Sequence, residues 1–196
     1  MKKVEKLTLL VTALVAVAGC FNEPEPAYKT VPAENRVYLS DKGLKAFPQV
    51  NAKADYLNLD RNQLEKADGV EKLTELKWLR LNDNRLAALP DLKPLTKLRR
   101  IYLKNNRFAA VPETLKDLPS LTDVDLSGNP VKEIPAWLAQ KQGLKNLSFS
   151  RTQVAKLPDD LTAWKSLQSL QLGDLRLTAE EMARIRKALP AVAIVF

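Results

Sequence analysis

Leu76-Lys77-Trp78-Leu79-Arg80-Leu81-Asn82-Asp83-Asn84 is the stretch that decides how this chain is read. Stripped to its spacing it is Leu-x-x-Leu-x-Leu-x-x-Asn. The phrase returns as Leu98, Ile101, Leu103, Asn106, and again as Leu121, Val124, Leu126, Asn129. Aligned on its third apolar position, the series runs Leu39, Leu59, Leu81, Leu103, Leu126, Phe149, Leu172 and Ile194, in steps of 20 to 23 residues. A fixed period of this length means one supersecondary unit stacked on copies of itself. Such a stack presents an extended concave surface, the kind that binds other macromolecules.

Each part of the phrase has a physical task. In a short strand, alternate side chains point to opposite faces, so Leu79 and Leu81 go inward while Trp78 and Arg80 go outward. The chain must then turn, which leaves backbone groups at the bend without ladder partners. An Asn side chain, with two donors and an acceptor, can satisfy those groups and those of the next coil. Asn62, Asn84, Asn106 and Asn129 are therefore expected to form a structural ladder along the stack. Nine residues after the anchor stands a proline in five repeats, at 48, 90, 112, 135 and 158. Proline suits the first turn of a helix, so the return segments are expected to be single helical turns or 3₁₀ pieces. Trp137 and Trp164 fall in those segments and are read as core packing.

On these residues the chain resembles the leucine-rich repeat proteins, over about 34–196. The resemblance implies an α/β solenoid, a leucine-rich repeat horseshoe with about seven to eight short parallel strands on its concave face. The convex face would carry 3₁₀ or short helical turns, and a helix-strand cap would close the C-terminal end. Repeats would fill 34–177 and the cap 178–196. Lys42, Thr152 and Leu175 stand where the Asn is expected, near the ends of the array, where repeats depart from the pattern. Ala54 and Ala67 weaken the second repeat, so the N-terminal edge is expected to fray first. Thr178-Ala179-Glu180-Glu181 is a capping-box pattern, with Met182, Ile185 and Leu189 on one helical face behind it.

The first residues belong to a different grammar. Lys2, Lys3 and Lys6 precede an apolar run from Leu7 to Val17, which is too short to span a bilayer comfortably and reads as a secretory signal. Val17-Ala18-Gly19-Cys20 resembles the lipobox of bacterial lipoproteins. That resemblance implies a signal peptide over 1–19, cleavage before Cys20, and acylation there with palmitate-type chains. Several acyl chains anchor stably where one does not. Residues 20–33, with Pro24, Pro26 and Pro32, read as the lipidated cysteine and an extended tether. Phe21, standing where an Asp would favour inner-membrane retention, leans the expectation towards the outer membrane of a Gram-negative cell envelope, periplasmic or surface-facing. Cys20 is the only cysteine, so an intrachain disulfide is impossible.

Function is expected in the variable residues between the leucines. Of the net charge of +8, three lysines and one glutamate give the first nineteen residues +2, which leaves about +6 from Cys20 onward. Tyr56, Trp78, Arg80, Arg100, Tyr102 and Lys104 fall on three adjacent strands, and Asp123 and Asp125 stand beside them. Aromatics and arginine are the types enriched at binding hot spots. These eight residues are the candidate partner-binding set, the two aspartates being read as solvated charges that balance the basic patch. The chain has no histidine, which removes the usual Ser-His and Cys-His pairs and the usual zinc ligand sets. Its six glycines are scattered, with no phosphate loop among them. No catalytic residue, metal, cofactor or nucleic-acid partner is expected. The reading is a non-enzymatic, membrane-anchored module that binds a protein partner through its concave face. The alternatives are binding of an anionic glycan or cell-wall polymer through Arg80, Arg100 and Lys104, or a purely structural envelope component.

Overall fold

A computed structural model describes residues 35–196. The expected signal, Cys20 and the tether lie outside the described residues. Eight three-residue strands make one parallel sheet in strict sequence order: β1 (Arg36–Tyr38), β2 (Tyr56–Asn58), β3 (Trp78–Arg80), β4 (Arg100–Tyr102), β5 (Asp123–Asp125), β6 (Asn146–Ser148), β7 (Ser169–Gln171) and β8 (Ala193–Val195). Parallel neighbours need a crossover, and here each crossover is the return half of one coil. The register repeats without slip, Tyr56 opposite Trp78, Trp78 opposite Arg100 and Arg100 opposite Asp123. The solenoid and its open parallel sheet are those the spacing implies.

The coils are joined by more than the three-residue strands. Leu81 N–H donates to the Tyr102 carbonyl and Asp83 N–H to the Lys104 carbonyl, and the same two bonds recur from β1 to β6. To stay in this ladder while turning, the residue two after each anchor adopts a left-handed conformation. The set is Asp41, Arg61, Asp83, Asn105, Gly128, Arg151 and Asp174, with φ between 53° and 68°. Asn, Asp and Gly tolerate that region; for arginine it is strained. Next in sequence comes the Asn. Asn84 Oδ1 accepts from Leu64 N–H at 3.0 Å, while its Nδ2 donates to the carbonyls of Leu59, Leu81 and Asn82. Asn62, Asn106 and Asn129 repeat the arrangement. Each amide reaches back to the preceding coil rather than forward to the next, because the strand's carbonyls present themselves on that side.

The return segments are 3₁₀ turns at Val70–Lys72, Glu113–Leu115 and Thr162–Ser166, and a short helix α1 (Ala136–Gln140). Pro112 and Pro135 stand immediately before two of them. Between sheet and returns runs one continuous core from Leu57 to Val192, dominated by leucine. Trp164 is fully buried within it and donates its indole N–H to the Leu138 carbonyl at 3.0 Å. Trp137 only packs against the core, and its indole N–H reaches Glu113 on the convex surface.

Helix α2 (Ala179–Ala188) and strand β8 close the C-terminal end. Thr178 accepts from Glu181 N–H, as a capping box requires. The reciprocal bond is replaced. Glu181 turns away from its own helix start, accepts from Leu157 N–H of the preceding repeat at 2.8 Å, and pairs with Arg184 at 2.7 Å. Arg184 in turn donates to the carbonyls of Leu157 and Pro158, so the helix is clamped to the coil beneath it.

Candidate functional site

The concave side of β1–β6 gathers the sequence's candidate residues in two in-register columns. The first strand position gives Arg36, Tyr56, Trp78, Arg100, Asp123 and Asn146; the third gives Tyr38, Asn58, Arg80, Tyr102, Asp125 and Ser148. Strand spacing brings their rings together. Tyr38 and Tyr56 have centroids 5.1 Å apart, Tyr56 meets Trp78 edge-on at 5.3 Å and 85°, and Trp78 lies 6.1 Å from Tyr102. Four aromatics thus form a continuous row across four strands, bowing from the third position of β1 to the first of β2 and β3 and back to the third of β4, at separations where edge-to-face contact is favourable.

The guanidiniums complete the row. Arg100 sits 4.7 Å over the Trp78 ring and Arg80 5.7 Å from the Tyr102 centroid, both within cation–π range. Neither arginine is an uncompensated charge. Arg80 places Nε and Nη2 each 2.7 Å from the Asp60 carboxylate, and Asp60 also accepts from Asn82 N–H at 2.8 Å. Arg100 Nε stands 3.7 Å from Asp123. A fork held on one side by a carboxylate and on the other by a ring keeps its orientation before any partner arrives.

The acidic members behave differently from the expectation. Asp123 and Asp125 are buried rather than solvated. Asp123 accepts from the Asn146 amide at 2.6 Å and from the Thr122 hydroxyl. Asp125 accepts from Ser127 N–H at 2.8 Å, next to a hydroxyl pair formed by Ser127 and Ser148. Their place on a closely packed face, among short polar neighbours, removes the water that the sequence reading gave them. Burial pushes the Asp125 carboxyl above the ordinary range, against the pull of the Ser127 hydrogen bonds and of Lys104 and Arg151. Burial likewise raises Asp60, although Arg80 pulls it down.

The structure therefore brings Tyr56, Trp78, Arg80, Arg100, Tyr102, Asp123 and Asp125 onto one face, with Lys104 two residues past Tyr102. Tyr56, Trp78 and Tyr102 are no more than 7 % exposed, whereas Tyr38, at the end of the row, is 50 % exposed. Sequence reasoning left Tyr38, Asp60 and Asn146 out of the site. Asp60 lies two residues past β2, one step off the register that sets Asn58 opposite Arg80, so its pair with Arg80 is a diagonal contact that the repeat period does not announce. Among the described residues no three carboxylate, cysteine or histidine side chains gather as a metal site. Among the same residues no helix is long and apolar enough to cross a membrane.

Comparison with known proteins agrees with this architecture. Residues 74–131 match the leucine rich repeat family model. A leucine-rich repeat protein of Leptospira interrogans is similar in structure, with a TM-score of 0.71 and 30% identity, over 78% of this chain and 40% of that one. An internalin of Listeria monocytogenes shares the fold at a TM-score of 0.62 and 22% identity, over 74% of this chain and 45% of that one. The chain thus spans less than half the length of either solved protein. No curated protein matches it in sequence.

Proposed function

We propose that this leucine-rich repeat solenoid is a non-enzymatic binding module that captures a protein partner on the N-terminal half of its concave face. The fold commonly mediates protein–protein interaction, and leucine-rich repeat proteins are generally binding scaffolds rather than catalysts. One observation carries the assignment to this face. The row Tyr38–Tyr56–Trp78–Tyr102, with Arg80 and Arg100 stacked on it, is oriented in advance by Asp60 and Asp123. Aromatic and arginine side chains whose rotamers are already fixed lose little entropy on binding, which is what makes them effective anchors. The partner's first contacts are Tyr38 and the exposed parts of the two guanidiniums. The anionic-glycan alternative is weaker on this face, because both arginines already have carboxylate partners.

The module is further proposed to be a lipoprotein, held at the cell envelope through Cys20 and lifted from the membrane by residues 20–33. The lipobox-like segment and the single cysteine support this reading.

A photo-crosslinker at position 38, compared with one at Lys116 on the convex side, tests the face. A saturable protein adduct from position 38 alone, weakened in Arg100→Gln and insensitive to moderate salt, is the expected result. Equal capture from both positions, or no effect of Arg100→Gln, rejects the concave assignment. For the anchor, Cys20→Ser abolishes incorporation of a labelled palmitate analogue and releases the protein from membranes; retained label rejects it.

A further inference from the structure

We propose a second binding site, on the turn edge of repeats six and seven, that takes an acidic sugar. It lies away from the aromatic row and does not rest on the concave-face reading. A hollow of about 480 Å³ opens there, lined by Arg151, Thr152, Gln153, Ala155, Asp174 and Arg176.

Its origin is legible in the repeat. In the second to fifth repeats an asparagine fills this turn and bonds the coil behind it. At the corresponding places of the sixth and seventh stand Thr152 and Leu175. The shorter Thr152 side chain spends its hydroxyl on the Phe149 carbonyl of its own coil at 2.7 Å, and the amide ladder ends. The hollow lies beside that break.

The charges around it are arranged unlike those of the earlier repeats. The left-handed positions of adjacent coils stand one above the other. Asp41 and Arg61 close on each other there through two bonds of 2.6 and 2.7 Å, and Asn105 closes on Asp83 at 2.7 Å. Arg151 and Asp174 occupy the same two positions of adjacent coils and carry opposite charges, yet no ion pair within 4 Å joins them; they line the hollow together instead. Arg176, two residues on, adds a second guanidinium, also without a carboxylate at that distance among the described residues.

Two guanidinium forks are suited to a carboxylate, which they bind bidentately. Asp174 and Gln153 supply an acceptor and an amide beside them, suited to the hydroxyls of a ring bearing that carboxylate. Asp174 also disfavours a more highly charged anion such as hydrogen phosphate, whose additional negative charge it repels. A uronic-acid residue meets all of these requirements. The volume accommodates one monosaccharide, consistent with recognition of a chain end or of a single residue in a polymer.

Calorimetric titration of the full chain at low salt, with glucuronate, methyl glucoside and inorganic phosphate as probes, tests the site. Glucuronate is expected to bind with one-to-one stoichiometry, more tightly than either other probe. Arg151→Gln and Arg176→Gln should each weaken it about tenfold or more, the scale of a lost charge-assisted hydrogen bond. Asp174→Asn should weaken glucuronate while strengthening phosphate. All three side chains are exposed, so thermal midpoints should stay near wild type and separate lost binding from lost folding. Tyr38→Ala, which disables the concave face, should leave glucuronate binding intact. Absence of glucuronate binding, equal binding of methyl glucoside or phosphate, or unchanged affinity in the double arginine variant overturns the proposal.

Discussion

Asn106 shows how one side chain holds two coils. Its amide donates to the carbonyls of Leu81, Leu103 and Lys104 and accepts from Leu86 N–H, all at 2.9–3.2 Å. Asn106→Ala strands these groups in a buried turn and should lower stability by about 1–3 kcal/mol. Urea unfolding checks it, and an unchanged midpoint would remove the ladder from the account of stability. The asparagines could be read from the sequence because their period is unmistakable. The left-handed residue just before each Asn went unread, although Asp, Gly and Asn recur there at 41, 83, 105, 128 and 174. Its conformation follows from keeping the ladder through the turn. That requirement becomes visible only once neighbouring coils are seen to continue hydrogen bonding beyond the strands. Gly128 adds a second constraint, since a Cβ there would collide with the Asn105 side chain of the coil before.

At the scale of elements, the return segments and the cap were legible in kind but not in detail. Proline before Glu113 and Ala136 announced a helical start, and helical turns stand there. The capping pattern at Thr178 announced α2, but the Glu181 carboxylate bonds to another repeat and not to the start of its own helix. Tertiary packing decided this, because Leu157 N–H and the Arg184 fork offer the carboxylate a better-satisfied place than the helix's own N-cap. The Arg184 hydrogen bonds, working against burial, hold the Glu181 carboxyl below its ordinary range, with help from Leu157 N–H. A carboxyl lowered in the folded state contributes stability that is present above its unfolded pKa and lost as pH falls through the folded value. Glu181→Gln should therefore cost about 1.5–3 kcal/mol at neutral pH, the scale of a charge-assisted hydrogen bond, with the gap from wild type narrowing below about pH 4. Thermal unfolding at several pH values checks this. A deficit independent of pH would assign the loss to geometry instead of charge.

For the whole molecule, one core runs from repeat to repeat, so its end must be closed. Ile185 of α2, Leu189 at the C-terminal cap of that helix and Val192 before β8 are part of that core. Each apolar side chain so buried contributes about 1.5–3 kcal/mol. Deleting residues 178–196 should yield aggregated protein, or protein without a cooperative transition, by size-exclusion chromatography and thermal unfolding. A monomer with the wild-type midpoint would show the cap to be dispensable. The sequence by itself determined the solenoid, its strand register and its inward and outward faces. Those depend on a local period of two inside a global period of 20 to 23, and both are written in the order of residues. Only the tertiary structure decided how the charges on the outward face are balanced. Arg80 with Asp60, and Arg100 with Asp123, meet across a strand spacing that no single repeat contains, and their pairing neutralises a patch that had read as basic. By the same rule Arg151, Asp174 and Arg176 emerged as a site only when stacking showed them lining one hollow without closing on one another. A repeat fixes what stands above what; whether two stacked charges meet or face a cleft depends on the packing of whole coils.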